Sequence, residues 1–505
     1  MEEQREVKIT NWFIKTFWQN KINLILLLII MATLLVRIFF FMATTDAGQT
    51  SWWDSAEYLS QGTHYATGVP YAENPQRPPA FQYMIAGFIM LGLNESWIIF
   101  LLSLIPSVLL VWLVFILGRS IFNEKVGLIA AAFLSFSWNL IFWSNRAQPD
   151  FLTICFQVLA IYYFWEMLKI KEKDTSISVT KQAILAGIYS ALAFYFKISA
   201  ILVPLAFFLY ILIKDKLKIF IKKEYWIYGF SLFASMVPYF IWAYYKFHSI
   251  LAFSTGYSNN IIIDLPFGWS AITYFRVFGL NAMFLVFIIG FILILKSLLY
   301  IDLIIKKNEL DVRVFLLTLI ITLVCFFIFY IRQIEDRWIL LLLPIMAIVC
   351  GIVLDKLYTW ISDHDGWKWI GIILIGGLLL YSSYEQFNYG NAIIYNKMTS
   401  YGDVKLAGEW MKANTQANDI VLSISYPQTV YYSQRHVETY SIWNETYLTQ
   451  YIDSNHPKFL TISIYEPHPS WIYAYIENNT RFVPVMGYFQ DVQKTKPSLI
   501  IYKID

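Results

Sequence analysis

The sequence is poor in charge. Only 14% of its 505 residues are Asp, Glu, Lys or Arg, against 58% that are hydrophobic. Soluble domains carry about a quarter charged residues, so a soluble globular protein is excluded and the chain reads as a polytopic membrane protein. The charges nearly cancel, to a net +3, which leaves too little basic surface to imply a nucleic-acid partner. Cysteine is scarce as well. Cys155, Cys325 and Cys350 all lie inside apolar runs; they read as small buried hydrophobes, without the spacing of a disulfide framework or a metal site. No internal repeat or low-complexity segment stands out, and no cleavable signal pattern opens the chain. Its first twenty residues are polar and charged, and Leu24 to Met42 reads as a retained first span.

What the sequence has is long hydrophobic runs. A membrane span needs roughly 20 apolar residues. About eleven are expected, at 24–42, 97–118, 126–143, 151–168, 183–196, 199–213, 226–245, 281–299, 314–331, 337–354 and 369–386. The pair flanking Lys197 is short and reads equally as one broken hairpin. One set of short loops carries Lys8, Lys15 and Lys21; Arg119 and Lys125; Lys169, Lys171, Lys173 and Lys181; Lys214, Lys216, Lys218, Lys222 and Lys223; and Lys296, Lys306, Lys307 and Arg313. Lysine and arginine bias marks cytoplasmic loops. The alternate loops, with Asp54, Arg146 and Asp150, Lys197, residues 246–280 and residues 332–336, are then expected outside, as is the C-terminal tail.

The outer loop 44–96 is too apolar for a free linker. Its stretches SAEYLSQGTHYA and AFQYMIAGFIMLG look like interfacial amphipathic helices, broken at Gly68-Val69-Pro70 and Arg77-Pro78-Pro79. From about residue 388 the composition changes. Asp403 to Asn414 has a helical pattern, while Ile420–Ser425, Phe459–Ile464 and Ser498–Ile504 look like strands. The expectation is a transmembrane domain over 1–387 and a soluble α/β domain over 388–505 on the outer face.

The polar residues beside this hydrocarbon are the candidates for chemistry, because an ionisable group there is costly without a partner or a polar cavity. Asp54 follows the first span, with Glu57 and Tyr58 on the next turn; it reads equally as an N-cap before Ser55 to Ser60. Arg77 precedes two prolines that fix its backbone, although an interfacial arginine also meets lipid headgroups. Arg146 and Asp150 sit in a polar cluster before the fourth span, where Asp150 also suits a helix cap. Lys197 lies deep in apolar sequence, with snorkelling as the ordinary alternative. Glu335-Asp336-Arg337 also suits a local ion pair in a tight turn. Two acids and three cations are expected on the outer face. The cations suit an anionic headgroup such as phosphate, and a carboxylate suits general-base work on a hydroxyl. Two neighbouring carboxylates would raise one pKa.

These motifs resemble, in order and topology, the GT-C superfamily of membrane glycosyltransferases. The similarity is greatest to the branch holding protein O-mannosyltransferases and the aminoarabinose transferase of lipid A. Trp53-Asp54-Ser55-Ala56-Glu57-Tyr58 matches the acidic motif after the first span, and Arg77-Pro78-Pro79 with Tyr83 the Lys/Arg-Pro-Pro motif. Asp150 matches a second aspartate opening the fourth span, and Lys197 a lysine in a short apolar hairpin. Arg337-Trp338 with Pro344 matches an Arg-Tyr motif leading to proline, with Trp in place of Tyr. The outer domain fits too, including Tyr431-Tyr432-Ser433-Gln434-Arg435. Asp54-Ser55 stands where many members have Asp-Glu, and the tail lacks a β-trefoil pattern.

The resemblance implies an inverting glycosyltransferase that takes a lipid-linked sugar donor, a polyprenyl-phosphate sugar of the undecaprenyl or dolichyl kind. Asp54 and Asp150 would be catalytic, Asp54 as base. Arg77, Lys197 and Arg337 would hold the phosphate, and Glu57, Tyr58 and Arg146 are candidate substrate contacts. The acceptor hydroxyl belongs to a glycan, a lipid or a protein. Paired acids can also hold a divalent cation, so metal dependence stays open. A transporter or flippase of lipid-linked sugars needs the same cationic pocket, and an ectodomain sensor needs the same tail. The outer domain and the asymmetric acidic loop favour the enzyme over a transporter, and a sensor leaves Lys197 unexplained. Asn94-Glu-Ser, Asn444-Glu-Thr and Asn478-Asn-Thr are glycosylation sequons.

Overall fold

The computed structural model describes residues 21–169, 176–255, 282–299, 307–331, 336–364 and 367–505. Eight helices among them are long and apolar enough to cross a membrane, and the chain is a multi-pass membrane protein. They are α1 (Lys21–Asp46), α4 (Glu95–Ile121), α7 (Asp150–Lys169), α8 (Ser176–Phe196), α9 (Leu202–Asp215, extended by 3-10 turns to Ile198–Phe220), α10 (Lys223–Phe247), α13 (Leu343–Ser362) and α14 (Lys368–Lys397). Two more expected spans are shorter apolar segments, Ala282–Lys296 and Val312–Cys325. They lie in α11 (Ala282–Leu299) and α12 (Lys307–Cys325). The two apolar runs flanking Lys197 are two helices joined by a short 3-10 turn, each long and apolar enough to cross a membrane.

The third expected span, 126–143, is not one helix. It divides into α5 (Glu124–Ser135) and α6 (Trp138–Trp143). The break is held by Arg37, an arginine of α1 that is fully buried and donates to the Ser135 carbonyl at 2.8 Å. A cation on the last carbonyl of a helix satisfies an orphan acceptor and opposes the helix dipole. Thr33 adds a hydrogen bond to the Ser135 hydroxyl, 2.8 Å. Small residues let the neighbouring helices close up. A Cβ on Gly118 of α4 would stand 2.9 Å from the Gly127 Cα of α5, and one on Gly351 of α13 2.7 Å from the Val126 carbonyl. Close backbone approach is how helices associate where no water drives them together.

Between α1 and α4 run α2 (Asp54–Thr67) and α3 (Ala80–Met90). Their ranges match the two amphipathic stretches, but α2 is not a helix lying on a bilayer with one face free. Its residues Ala56 and Tyr58 to Thr63 are buried, because α3 and the transmembrane helices pack on one side, through Phe81, Ile85, Ile98 and Phe196, and the C-terminal domain covers another. The Ser60 hydroxyl donates to the Pro427 carbonyl at 2.7 Å. The Ser51 amide donates to the Tyr432 hydroxyl at 2.8 Å, and the Trp53 indole to the Tyr401 hydroxyl at 2.8 Å.

The last long helix runs to Lys397, and α15 (Gly402–Asn414) follows. The domain beyond is a five-stranded sheet in the order β2-β1-β3-β5-β4. Its strands are β1 (Ile420–Leu422), β2 (His436–Glu438), β3 (Phe459–Ser463), β4 (Phe482–Phe489) and β5 (Pro497–Ile504). β1 pairs in parallel with β2 and β3, and β5 is antiparallel to β3 and β4. The crossover helices are α16 (Tyr426–Ser433), α17 (Glu445–Asn455) and α18 (Trp471–Glu477). Two of the sequon asparagines serve as helix caps: Asn94 accepts from the Trp97 amide and Asn444 from the Tyr447 amide.

Candidate active site

Asp54 is the first residue of α2, and Trp53 before it has φ 46°, a left-handed backbone that a bulky residue rarely takes. Strain of this kind persists where surrounding contacts over-determine it. Here the Trp53 indole is tied to Tyr401. The kink aims Asp54 into a cavity of about 330 Å³ whose walls include Trp52, Trp53, Trp143, Arg146 and Arg337.

Two guanidiniums meet on the Asp54 carboxylate. Arg77 Nη2 lies 2.5 Å from Oδ1, and Arg337 Nη2 lies 2.5 Å from Oδ2. Arg77 is oriented by two further partners. Its Nη2 and Nε donate to Glu57 Oε2 at 2.7 and 3.2 Å, and its Nη1 donates to the Tyr58 hydroxyl at 3.1 Å. Asn74 fixes the other Glu57 oxygen at 2.8 Å. Arg337 Nη1 donates to Gln148 Oε1 at 3.1 Å, and the Gln148 amide donates to the Ser55 hydroxyl at 2.9 Å. The hydroxyl at Ser55, where many GT-C members carry a carboxylate, anchors this bridge. Arg146 is sandwiched 4.5 Å from both the Trp52 and Phe142 rings.

The second acid and the third cation form their own pair. Lys197 Nζ lies 2.5 Å from Asp150 Oδ1, with Asp150 only 1% exposed. Asp150 opens α7, and Lys197 stands at the 3-10 turn separating α8 from α9. The lysine is therefore paired in the protein rather than snorkelling.

Burial alone would raise the Asp54 carboxyl pKa, but Arg77 and then Arg337 outweigh it and hold the group well below the usual carboxylate range. This overturns the expectation that a neighbouring carboxylate lifts a pKa here: each acid has a cation as its nearest ionic partner. Burial likewise works against the Arg77 charge, and Asp54 and Glu57 more than restore it. Arg337 thus meets a carboxylate from the other end of the chain, Asp54; the expected local pair with Glu335 falls outside the described residues.

Three residues of this region carried no role in the sequence reading: Gln148, Asn74 and Arg37. Only Arg37 has a local signal, a lone arginine within an apolar span. Of the tail motif, Tyr432 receives the Ser51 amide, whereas Arg435 donates to the Lys412 and Thr415 carbonyls at 2.8 Å and caps α15. Among the described residues no three His, Cys, Asp or Glu side chains gather at one point.

Residues 76–242 match the family described as dolichyl-phosphate-mannose-protein mannosyltransferase, a stretch that includes Arg77, Asp150 and Lys197. No curated protein matches the chain by sequence. Among solved structures, ArnT from Cupriavidus metallidurans bound to undecaprenyl phosphate is similar with a TM-score of 0.66 at 10% identity, covering 93% of this chain and 97% of that one. The apo oligosaccharyltransferase of Archaeoglobus fulgidus gives a TM-score of 0.65 at 13% identity, over 89% of this chain and 71% of that one. AglB of the same organism, in complex with an inhibitory peptide and a dolichol-phosphate, gives 0.63 at 14% identity, over 98% and 75%. At these identities the likeness shows the fold, that of the GT-C membrane glycosyltransferases, and the family match over residues 76–242 supports the same reading.

Proposed function

We propose that the protein transfers a sugar from a polyprenyl-phosphate donor to a hydroxyl acceptor on the outer face of the membrane, with inversion at the anomeric carbon. The observation that carries this reading is the meeting of two guanidiniums, Arg77 and Arg337, on the Asp54 carboxylate, which with Arg337 lines a cavity. Arginine forks suit a phosphate, and a carboxylate suits removal of a hydroxyl proton. Related folds whose structures hold undecaprenyl phosphate and dolichol-phosphate support the donor class.

In this mechanism the acceptor oxygen attacks the anomeric carbon as Asp54 takes its proton. The bond from that carbon to the phosphate oxygen breaks, and its electron pair leaves with the phosphate. Arg77 and Arg337 meet the charge that grows there. Lys197, paired with Asp150, adds positive charge, and Glu57, Tyr58 and Gln148 hold the arginines in place. A flippase would use the cations and has no need of a base among them.

The direct test is transfer of a radiolabelled sugar by the purified protein from a panel of undecaprenyl- and dolichyl-phosphate sugars to glycan, lipid and peptide acceptors. Product from a lipid donor is expected. Facilitated movement of the same donors across vesicles, without product from any acceptor, sinks the enzyme reading.

Orientation has its own test. The lysine-rich loops alternate with the loops bearing Asp54 and Asp150, so the tail should lie outside. Val492 is fully exposed at the end of the tail domain. A Val492→Cys variant is expected to react with an impermeant maleimide on intact cells. Reaction only after permeabilisation overturns both the orientation and an outward-facing active site.

A further inference from the structure

Asp54 occupies the position in which two arginine side chains converge. A carboxylate and a phosphodiester each carry one negative charge, so one can replace the other between the same guanidiniums. We propose that the Asp54 carboxylate stands in for the donor phosphate when no donor is bound, and that donor binding displaces Asp54 from Arg77 and Arg337, whose guanidiniums stay in place and take the phosphate instead. The base is thereby masked without donor and unmasked by it. This rests on the phosphate-binding reading of the two arginines given above.

The geometry favours exchange because the arginines are held independently of Asp54. Glu57 and Tyr58 hold Arg77 from one side. Gln148 holds Arg337, whose guanidinium also lies 5.6 Å from the Trp143 ring. With these contacts kept, both Nη2 atoms still face the place the carboxylate leaves. Asp54 is the group free to move. Its side chain is 25% exposed and it borders a cavity of about 330 Å³.

The charges balance through the reaction. In the resting site two guanidiniums face Asp54 and Glu57. The bound donor brings one negative charge to the arginines and leaves Asp54 with no cation on its oxygens. An anionic carboxylate so exposed to a partly buried site is relieved by accepting a proton, and the acceptor hydroxyl supplies it. The phosphate gains the electron pair of the broken bond and departs with two negative charges, facing two guanidiniums. Without donor, the same carboxylate is a weak base, so acceptor or water is not activated early.

The consequence runs against intuition: removing the acid should tighten donor-side binding. Equilibrium binding of radiolabelled undecaprenyl phosphate in detergent is to be compared among the wild type, Asp54→Asn, Arg77→Ala and Arg337→Ala, with thermal unfolding recorded for each. Asp54→Asn is expected to bind about tenfold tighter, a change worth about 1.4 kcal/mol, and to gain the larger thermal shift on binding. Arg77→Ala and Arg337→Ala are expected to bind at least about tenfold more weakly. Loss in the arginine variants with unchanged or weaker binding by Asp54→Asn overturns the exchange and leaves the phosphate reading standing. Unchanged binding by both arginine variants overturns the phosphate reading itself.

A second measurement needs no variant. The ionisable groups facing Asp54 are Arg77, Arg337, Glu57, Tyr58 and Tyr71; Arg146 borders the same cavity. Exchange raises the affinity of Asp54 for a proton, so binding takes one up. A farnesyl methyl phosphodiester, which does not titrate in this range, should therefore bind the wild type more tightly as pH falls from 8 toward 5. A flat profile overturns the exchange if Asp54→Asn fails to fold.

Discussion

Asp54→Asn is expected to lower sugar transfer by about 10²–10⁴-fold, the usual contribution of a general base, while polyprenyl-phosphate binding survives. The substitution keeps the size of the side chain and removes its basicity. It also removes the anion that Arg77 and Arg337 share, so donor binding must be measured on the same purified material. Near wild-type transfer would remove Asp54 as the base. Loss of binding together with transfer would make Asp54 a holder of the arginines. Stability is a separate axis. The Asp54 pKa is depressed in the folded protein, so its stabilising share is fully present above the unfolded carboxylate value of about 3.9. That share is lost only as pH falls through the lower folded value. Assays between pH 5 and 8 therefore compare wild type and variant without acid unfolding by this group.

The parts of the site that were legible in the sequence are those with a local cause. Asp54, Glu57 and Tyr58 share one helical turn just past the first span, and Arg77 is fixed by the two prolines after it. An acid and a lysine inside apolar sequence at 150 and 197 marked themselves by their cost. The pairings did not. Arg77 has Glu73 four residues before it, yet it meets Asp54 and Glu57 instead once α2 and α3 pack. Arg337 reaches Asp54 only when the two ends of the transmembrane bundle come together. A pairing between remote elements leaves no periodicity to read. This is also why the two arginines looked like free phosphate ligands and proved to be occupied.

The fold shows the same division. Runs of apolar residues gave the long helices, and the glycine and proline breaks gave the limits of α2 and α3. The division of the third span into α5 and α6 depends on Arg37 reaching Ser135 from another helix, which no window of sequence contains. In the tail, β1, β3 and β5 fell on the expected strand stretches. β2 is three residues long, too short for an alternating pattern. β4 carries Pro484 and Gly487, shifts register between Pro484 and Met486, and lies at the sheet edge, where proline is tolerated.

The last expectation separates structure from chemistry at Lys197. With Asp150 only 1% exposed and Lys197 Nζ 2.5 Å from it, this is a buried ion pair, and such a pair is strongly destabilised when one partner alone is removed, by about 3–5 kcal/mol. Lys197→Met should therefore lower thermal stability sharply, because the Asp150 carboxylate keeps its burial and loses its cation. Asp150→Asn should also destabilise, because the Lys197 ammonium loses the carboxylate 2.5 Å from it. The double variant Asp150→Asn/Lys197→Met removes both charges and should regain most of the lost stability, since neutralising a whole buried pair is far less costly than breaking it. Loss of transfer by either single variant says little about chemistry, because a damaged turn between α8 and α9 would also cause it. Donor binding by the stable double variant is the informative number. A drop of about tenfold or more in undecaprenyl phosphate affinity there, with the fold restored, assigns the lysine to the phosphate. Wild-type affinity in the same protein assigns the pair to fixing the start of α7 against the turn after α8, and leaves the donor phosphate to Arg77 and Arg337.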